Sequence, residues 1–219
     1  MSFGSNIKSK DLSGKLISIF VNVFKTIKYD VVWKFEDESL LKKRKYIHTQ
    51  KWLPQADLLA HPKIKLFITQ GGQQSVEEAI DRAVPMIIIP FLGDQPGMAV
   101  KLKQKDIAQY IDFDNITHNS LSEAINEMTK PIYKENVINL RKVIYDQPMT
   151  SREKAVWWTE YVLRNKGTKH LAYPGRLVPF YQKYCLDFLF ITIVLFYFIL
   201  KIIELSFKFL FKSHKVKTE

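Results

Sequence analysis

The chain has 219 residues, 47% of them apolar, which supports one cored domain plus an appendage and leaves two complete domains a tight fit. Its 33 basic and 22 acidic residues give +11, but the excess is scattered from Lys8 to Lys105 and on into the tail. With no paired metal-ligand cysteines and no glycine-aromatic RNA-binding box beside it, that charge argues against nucleic acid as a partner.

Cys185 stands alone, so no intrachain disulfide and no cysteine-based metal site can form. The opening "MSFGSNIKSK" contains no apolar run of signal-peptide length. From Leu12 to Ile27, apolar residues recur at helical spacing and predict an amphipathic helix. The strand "YDVVWKF", the basic loop "LKKRK", a short strand in "YIHTQKWLPQ" that ends at Pro54, and a brief helix "ADLLA" follow. "IKLFIT" and "PMIIIP" read as buried parallel strands bounded by Gly and Pro, with the helix "QSVEEAIDRA" between them, a βαβ unit. Next come a helix in "QPGMAVKLKQK", a strand in "IAQYIDF", and helices near Ser120–Thr129, Tyr133–Ile144 and Arg152–Arg164. The expected fold is a doubly wound α/β domain on a parallel sheet, residues 1–168.

Residues 169–184 read as a juxtamembrane linker. From Phe188 to Leu200 the chain is uncharged, and Cys185, Leu186, Ile202 and Ile203 bring the tract to the roughly 20 residues a bilayer needs, provided Lys201 snorkels. A transmembrane helix over 185–211 is therefore expected; a buried or interfacial helix is the alternative. Lys212, Lys215 and Lys217 make 212–219 a basic tail, which the positive-inside rule puts in the cytosol and which sends the domain to the other side.

"FITQGGQQSVEEAI", Phe67 to Ile80, runs a strand into two glycines and a helix read as opening near Ser75, with Glu77 and Glu78 in its first turn. In an open parallel sheet, ligands bind beyond the carboxyl ends of the strands, where helix amides meet an anion. Gly71 and Gly72 would let that backbone approach a phosphate closely. The stretch is neither a P-loop nor a dinucleotide fingerprint, and an ordinary strand-to-helix connection has the same composition. Nearby, Trp52 offers a stacking plane, Gln55 an amide, and Asp94 and Gln95 a carboxylate and an amide, the parts that hold a base, a diphosphate and sugar hydroxyls. Taken singly, Trp52 also reads as core, Gln55 as a helix cap and Asp94 as a turn residue.

The segment Trp52 to Gln95, with its W-x-P-Q, L-x-H-P, G-G-x-x-S-x-x-E and D-Q elements, resembles the signature of UDP-glycosyltransferases of the glucuronosyltransferase type, arthropod members included. "SFGSN", "VVWKF", "YKEN", "DQPM", "AVWWTEYV" and "KGTKHL" extend the likeness over nearly the whole chain. The resemblance implies the Rossmann-like C-terminal half of a two-domain enzyme whose co-substrate is a UDP-sugar, UDP-glucose or UDP-glucuronate, with no metal. Trp52 would stack on uracil and Gln55 would bond uracil or ribose. Ser5, Gly72, Gln74 and Ser75 would hold the diphosphate beside Gln70 and Gly71, Glu78 would take the ribose hydroxyls, and Asp94 and Gln95 would select the sugar.

Three departures stand out against that family: Gln70 replaces the usual His before the glycines, Met98 replaces Asn, and "QKDIA" replaces a glycine-rich loop. The chain is also expected to start in the loop after the first strand, so the acceptor domain and its His base lie outside it, and no catalytic residue is assigned here. His48 is placed in a strand, His61 before Pro62, and His118, His170 and His214 in loops or tail. The resulting expectation is the donor half of an endoplasmic-reticulum enzyme acting on small lipophilic acceptors and inactive alone. The other reading is a membrane-anchored, non-catalytic UDP-sugar binder that pairs with full-length relatives. Trp157 and Trp158 would face the partner domain.

Overall fold

The structure is a computed structural model that describes residues 1–37, 41 and 45–216; the basic residues Lys42, Lys43 and Arg44 and the end of the tail lie outside the described set. The chain forms two compact units, Met1–Pro148 and Met149–Glu219.

In the first unit α1 (Gly14–Thr26) leads to β1 (Val31–Lys34), β2 (Ile47–Gln50), α2 (Gln55–Ala60), β3 (Phe67–Thr69), α3 (Gln73–Asp81), β4 (Met86–Ile88), α4 (Gln95–Lys103), β5 (Ala108–Tyr110), α5 (His118–Met128) and α6 (Pro131–Tyr145). Every strand pair is parallel: β1 pairs with β2, and β3, β4 and β5 pair in that order.

The first residues join the two sheets. The Ser2 amide donates to the Ile68 carbonyl at 2.9 Å, the Lys34 amide donates to the Met1 carbonyl at 2.9 Å, and the Met1 ammonium donates to the Val32 carbonyl at 2.6 Å. The expectation that the chain begins in a loop is thus corrected: Met1 and Ser2 still lie in the sheet between β1 and β3, because both neighbours offer them unpaired backbone groups. Burial lowers the Met1 ammonium from 8.0 to about 5. Below this point a cavity of about 490 Å³ opens, lined by Val31 and Val32 on one side and Leu66, Phe67 and Ile68 on the other.

Strand alternation builds two cores. Ile68, Ile87 and Ile89 face α1 and α5, whereas Phe67, Met86 and Ile88 face α2, α3, α4 and α6. Helices therefore cover both faces, which is the doubly wound arrangement. Each of these fully buried side chains contributes about 1.5–3 kcal/mol. Trp33 anchors the first core, with ring centroids 5.7 Å from Phe20, 5.8 Å from Phe24 and 5.0 Å from Phe35. Ser13 caps α1, and Thr117 with Ser120 forms a capping box that starts α5 at His118, so His118 is helical rather than in a loop.

The second unit contains α7 (Ser151–Arg164), started by a Thr150–Glu153 capping box, then α8 (Phe180–Lys183) and α9 (Leu186–Val216). On α7, Trp157 stacks on Tyr161, and both Trp157 and Trp158 are exposed. Leu186–Ser206 within α9 is long and apolar enough to cross a membrane, with mean hydropathy 2.4. Its 21 residues span about 31 Å, close to a hydrocarbon core of about 30 Å. The helix continues through the stretch read as tail, to Val216, and Lys201 pairs with Glu204 at 2.7 Å.

Candidate functional site

The carboxyl edge of the sheet gathers four loops. The first, Gly4 to Lys8, stands on Phe3, whose ring meets Phe91 edge-on at 5.0 Å. That contact sets the loop carrying Ser5 beside the loop after β4. Ser5 is exposed in a turn.

The loop after β3 is fixed by Gly71. Its φ is +86°, and a Cβ there would sit 2.6 Å from Ile88 Cγ2, so only glycine fits both the backbone and the neighbour. Gly72 follows at φ −62°, ψ 138° and is the residue from which α3 starts. The helix thus opens at Gln73, two residues before Ser75, and Glu77 and Glu78 lie in its second turn rather than its first. The extended backbone at Gly72 directly precedes helical Gln73, which moves the boundary. The first helical bond runs from the Val76 amide to the Gly72 carbonyl, 3.1 Å, leaving the amides of Gln73, Gln74 and Ser75 without helical partners. Such an end offers a partial positive charge to an anion.

Gln55, the first residue of α2, reaches across to α3. Its Nε2 donates to Ser75 Oγ at 3.1 Å and to Glu78 Oε2 at 2.8 Å. The cap reading of Gln55 is therefore set aside. Trp52, three positions earlier, is 71% exposed, so it is not core. Lys34 Nζ lies over its ring, 5.7 Å from the centroid.

Gln70 is buried between the two glycine turns. A Cβ on Gly4 would lie 2.5 Å from Gln70 Nε2 and one on Gly72 3.2 Å, and among the described residues Gln70 Oε1 has no hydrogen-bond partner. Sequence reasoning missed Gly4, at φ +72°, as the residue that makes room for this amide; the "SFGSN" glycine was the available signal. Gln74 is exposed at the helix start.

After β4, Asp94 is exposed and precedes α4 without a side-chain cap bond. Gln95 is buried, and its Oε1 accepts from the Phe91 amide at 2.9 Å and the Leu92 amide at 3.2 Å. Its carbonyl end therefore shapes the loop that presents Asp94. Met98 is partly buried against the second core. Among the described residues, no group of three His, Cys, Asp or Glu is placed to hold a metal ion.

The sequence pattern of the family described as "UDP-glucoronosyl and UDP-glucosyl transferase" matches residues 1–217. The chain belongs to this family. Relatives of this UDP-glycosyltransferase chain include UDP-glycosyltransferase UGT5 of Dactylopius coccus, 37% identical over 84% of this chain and 35% of its own length. UDP-glucuronosyltransferase 2B19 of Macaca fascicularis is 35% identical over 85% and 35%, and the ecdysteroid UDP-glucosyltransferase of Lacanobia oleracea granulosis virus is 40% identical over 75% and 36%. The chain thus spans about a third of the length of the curated relatives it matches. Among solved structures, the calicheamicin glycosyltransferase CalG4 superposes with TM-score 0.57 at 21% identity, over 67% of this chain and 40% of that one. Arabidopsis thaliana UGT89C1 complexed with UDP gives 0.55 at 19%, over 64% and 36%. These likenesses, with the parallel strands between helices, establish the Rossmann-like fold of the sheet domain of this UDP-glycosyltransferase chain, and the apolar C-terminal helix follows that domain in the sequence.

Proposed function

We propose that this edge binds the UDP part of a UDP-sugar, and that the chain is the donor-binding half of a transferase moving a hexosyl or glucuronosyl group to a small lipophilic acceptor. One observation carries the reading. Gln55 joins the helix after β2 to Ser75 and Glu78 at the start of α3, with an exposed indole three residues away. A base stacked on Trp52 then lies next to a carboxylate whose Oε1 is left to accept from ribose hydroxyls. The diphosphate follows at the amides of Gln73, Gln74 and Ser75, facing Ser5 and Gly72, with Gln70 and Gly71 shaping the turn. Asp94, set by Gln95, meets the sugar.

Deprotonating an acceptor hydroxyl needs a positioned base. We assign none to these residues, so transfer requires an acceptor-binding domain from outside them. The apolar helix is read as a single-pass anchor in the endoplasmic reticulum, with the sheet domain lumenal and the basic end cytosolic. In the alternative reading, a non-catalytic UDP-sugar binder, the chain pairs with full-length relatives that carry an acceptor-binding domain.

The test is titration of the full chain, in detergent micelles, with UDP. Base–aromatic stacking is worth about 1–3 kcal/mol, so Trp52→Ala weakens UDP by roughly 5- to 150-fold. Glu78→Ala loses affinity for UDP more than for inorganic pyrophosphate. UDP affinity unchanged in both variants would remove this site.

A further inference from the structure

Lys34 ends β1 with an ammonium that the donor reading leaves unused. The residue is 8% exposed, and Nζ lies 2.6 Å from Glu36 Oε1. A buried ammonium is costly unless paired and hydrogen-bonded. Glu36 pairs it and also accepts, through Oε2, from the Lys10 amide at 3.3 Å. Burial alone would raise the Glu36 carboxyl, but hydrogen bonds from Lys34 and from the backbone, with the charge of Lys34, outweigh it and hold the group below 4.5. The Lys34 carbonyl accepts from the Ser9 hydroxyl at 2.9 Å, and Ser9 Oγ in turn accepts from Trp33 Nε1 at 3.1 Å. The cation is thus fixed by the strand, the carboxylate and the short helical turn Ser9–Asp11 together. Its Nζ lies over the exposed ring of Trp52.

We propose that Lys34 is a positioning residue for the nucleoside end of the ligand: clamped by Glu36, its ammonium holds one face of Trp52 and presents the other face to a planar base. The inference rests on reading Trp52 as the base platform. An indole face is the negative pole of the ring, so a fixed cation orients it without a hydrogen bond. Because Glu36 also takes the Lys10 amide, the short helical turn Ser9–Asp11 that follows the Ser5 loop and the platform at Trp52 are referred to one ion pair.

The full chain in detergent micelles is titrated with UDP and with inorganic pyrophosphate. Lys34→Met keeps the stem and removes the charge; Lys34→Arg keeps the charge. Lys34→Met weakens UDP by roughly tenfold, the scale of a partly desolvated cation–π contact. It leaves pyrophosphate within about twofold and has no further effect on UDP in a Trp52→Ala background. Lys34→Arg restores part of the loss. Equal losses for UDP and pyrophosphate overturn the inference, since they mark simple attraction of the diphosphate. An undiminished effect in Trp52→Ala overturns it as well. Glu36→Gln gives a second reading should Lys34→Met not fold: it weakens UDP in the same selective way, and UDP affinity equal to wild type refutes the clamp. Wild-type UDP binding that depends on Trp52 but not on Lys34 sinks this inference alone; no UDP binding by the wild type sinks the donor site with it.

Discussion

Replacing Gly71 by Ala tests the geometry that aims the start of α3. Two costs add at this position. The backbone sits at φ +86°, where an L-residue costs about 1–2 kcal/mol. The new methyl would lie 2.6 Å from Ile88 Cγ2, and Ile88 is fully buried in β4 and cannot swing into solvent. Overpacking of that kind costs about 1–3 kcal/mol. The sum is about 2–5 kcal/mol, and at about 2–4 °C per kcal/mol for a chain of this size the melting temperature falls by about 4–20 °C. The assay is thermal unfolding of the full chain in detergent, followed through the environment of buried Trp33. Two controls separate the costs. Gly93→Ala shares the strain at φ +66° but meets nothing within 4 Å among the described residues, and Gly72→Ala, at φ −62°, meets only the flexible end of Gln70 at 3.2 Å. The expected order of loss is Gly71, Gly93, Gly72. A Gly71→Ala protein melting within about 1 °C of wild type would refute the reasoning.

Gln70→His replaces a neutral amide between Gly4 and Gly72 by a group that titrates near 6.5, so the variant's UDP affinity relative to wild type, measured at each pH to cancel the ligand's own phosphate titration, rises as pH falls below about 6.5; a ratio flat with pH places residue 70 away from the diphosphate. The Glu36 carboxyl is held below 4.5, so the unfolded chain takes up its proton first as the solution is acidified. Its contribution to stability is therefore complete above that value and lost as pH falls through the lowered one. Melting curves between pH 6 and 3 show a shallower acid decline in Glu36→Gln. Asn115 is exposed at the end of a short helical turn and opens the acceptor sequence "NIT". If the domain is lumenal, expression with microsomes adds an endoglycosidase-sensitive mass that Asn115→Gln removes, and protease digestion of the sheet domain in intact microsomes would refute the lumenal placement.

Local spacing in the sequence already determined much of this protein. Short apolar runs bounded by Gly and Pro marked the buried strands, helical spacing marked the helices, and the uncharged run from Phe188 to Leu200 marked the long apolar helix. Trp52, Gln55, Ser75 and Glu78 were nameable as a set because the family signature keeps them in order. Tertiary structure decided what depends on segments far apart in the chain. Met1 and Ser2 lie in the sheet only because β1 and β3, more than thirty residues apart, offer them unpaired backbone groups. Gln55 meets Ser75 and Glu78 across a strand and a turn, and Gln70 fits only because Gly4 lacks a side chain. Gln95 faces inward because the Phe91 and Leu92 amides need an acceptor there. Periodicity records which face of an element is buried, whereas these contacts depend on which element lies opposite, and that is settled only when the sheet closes its ladder and the two cores pack.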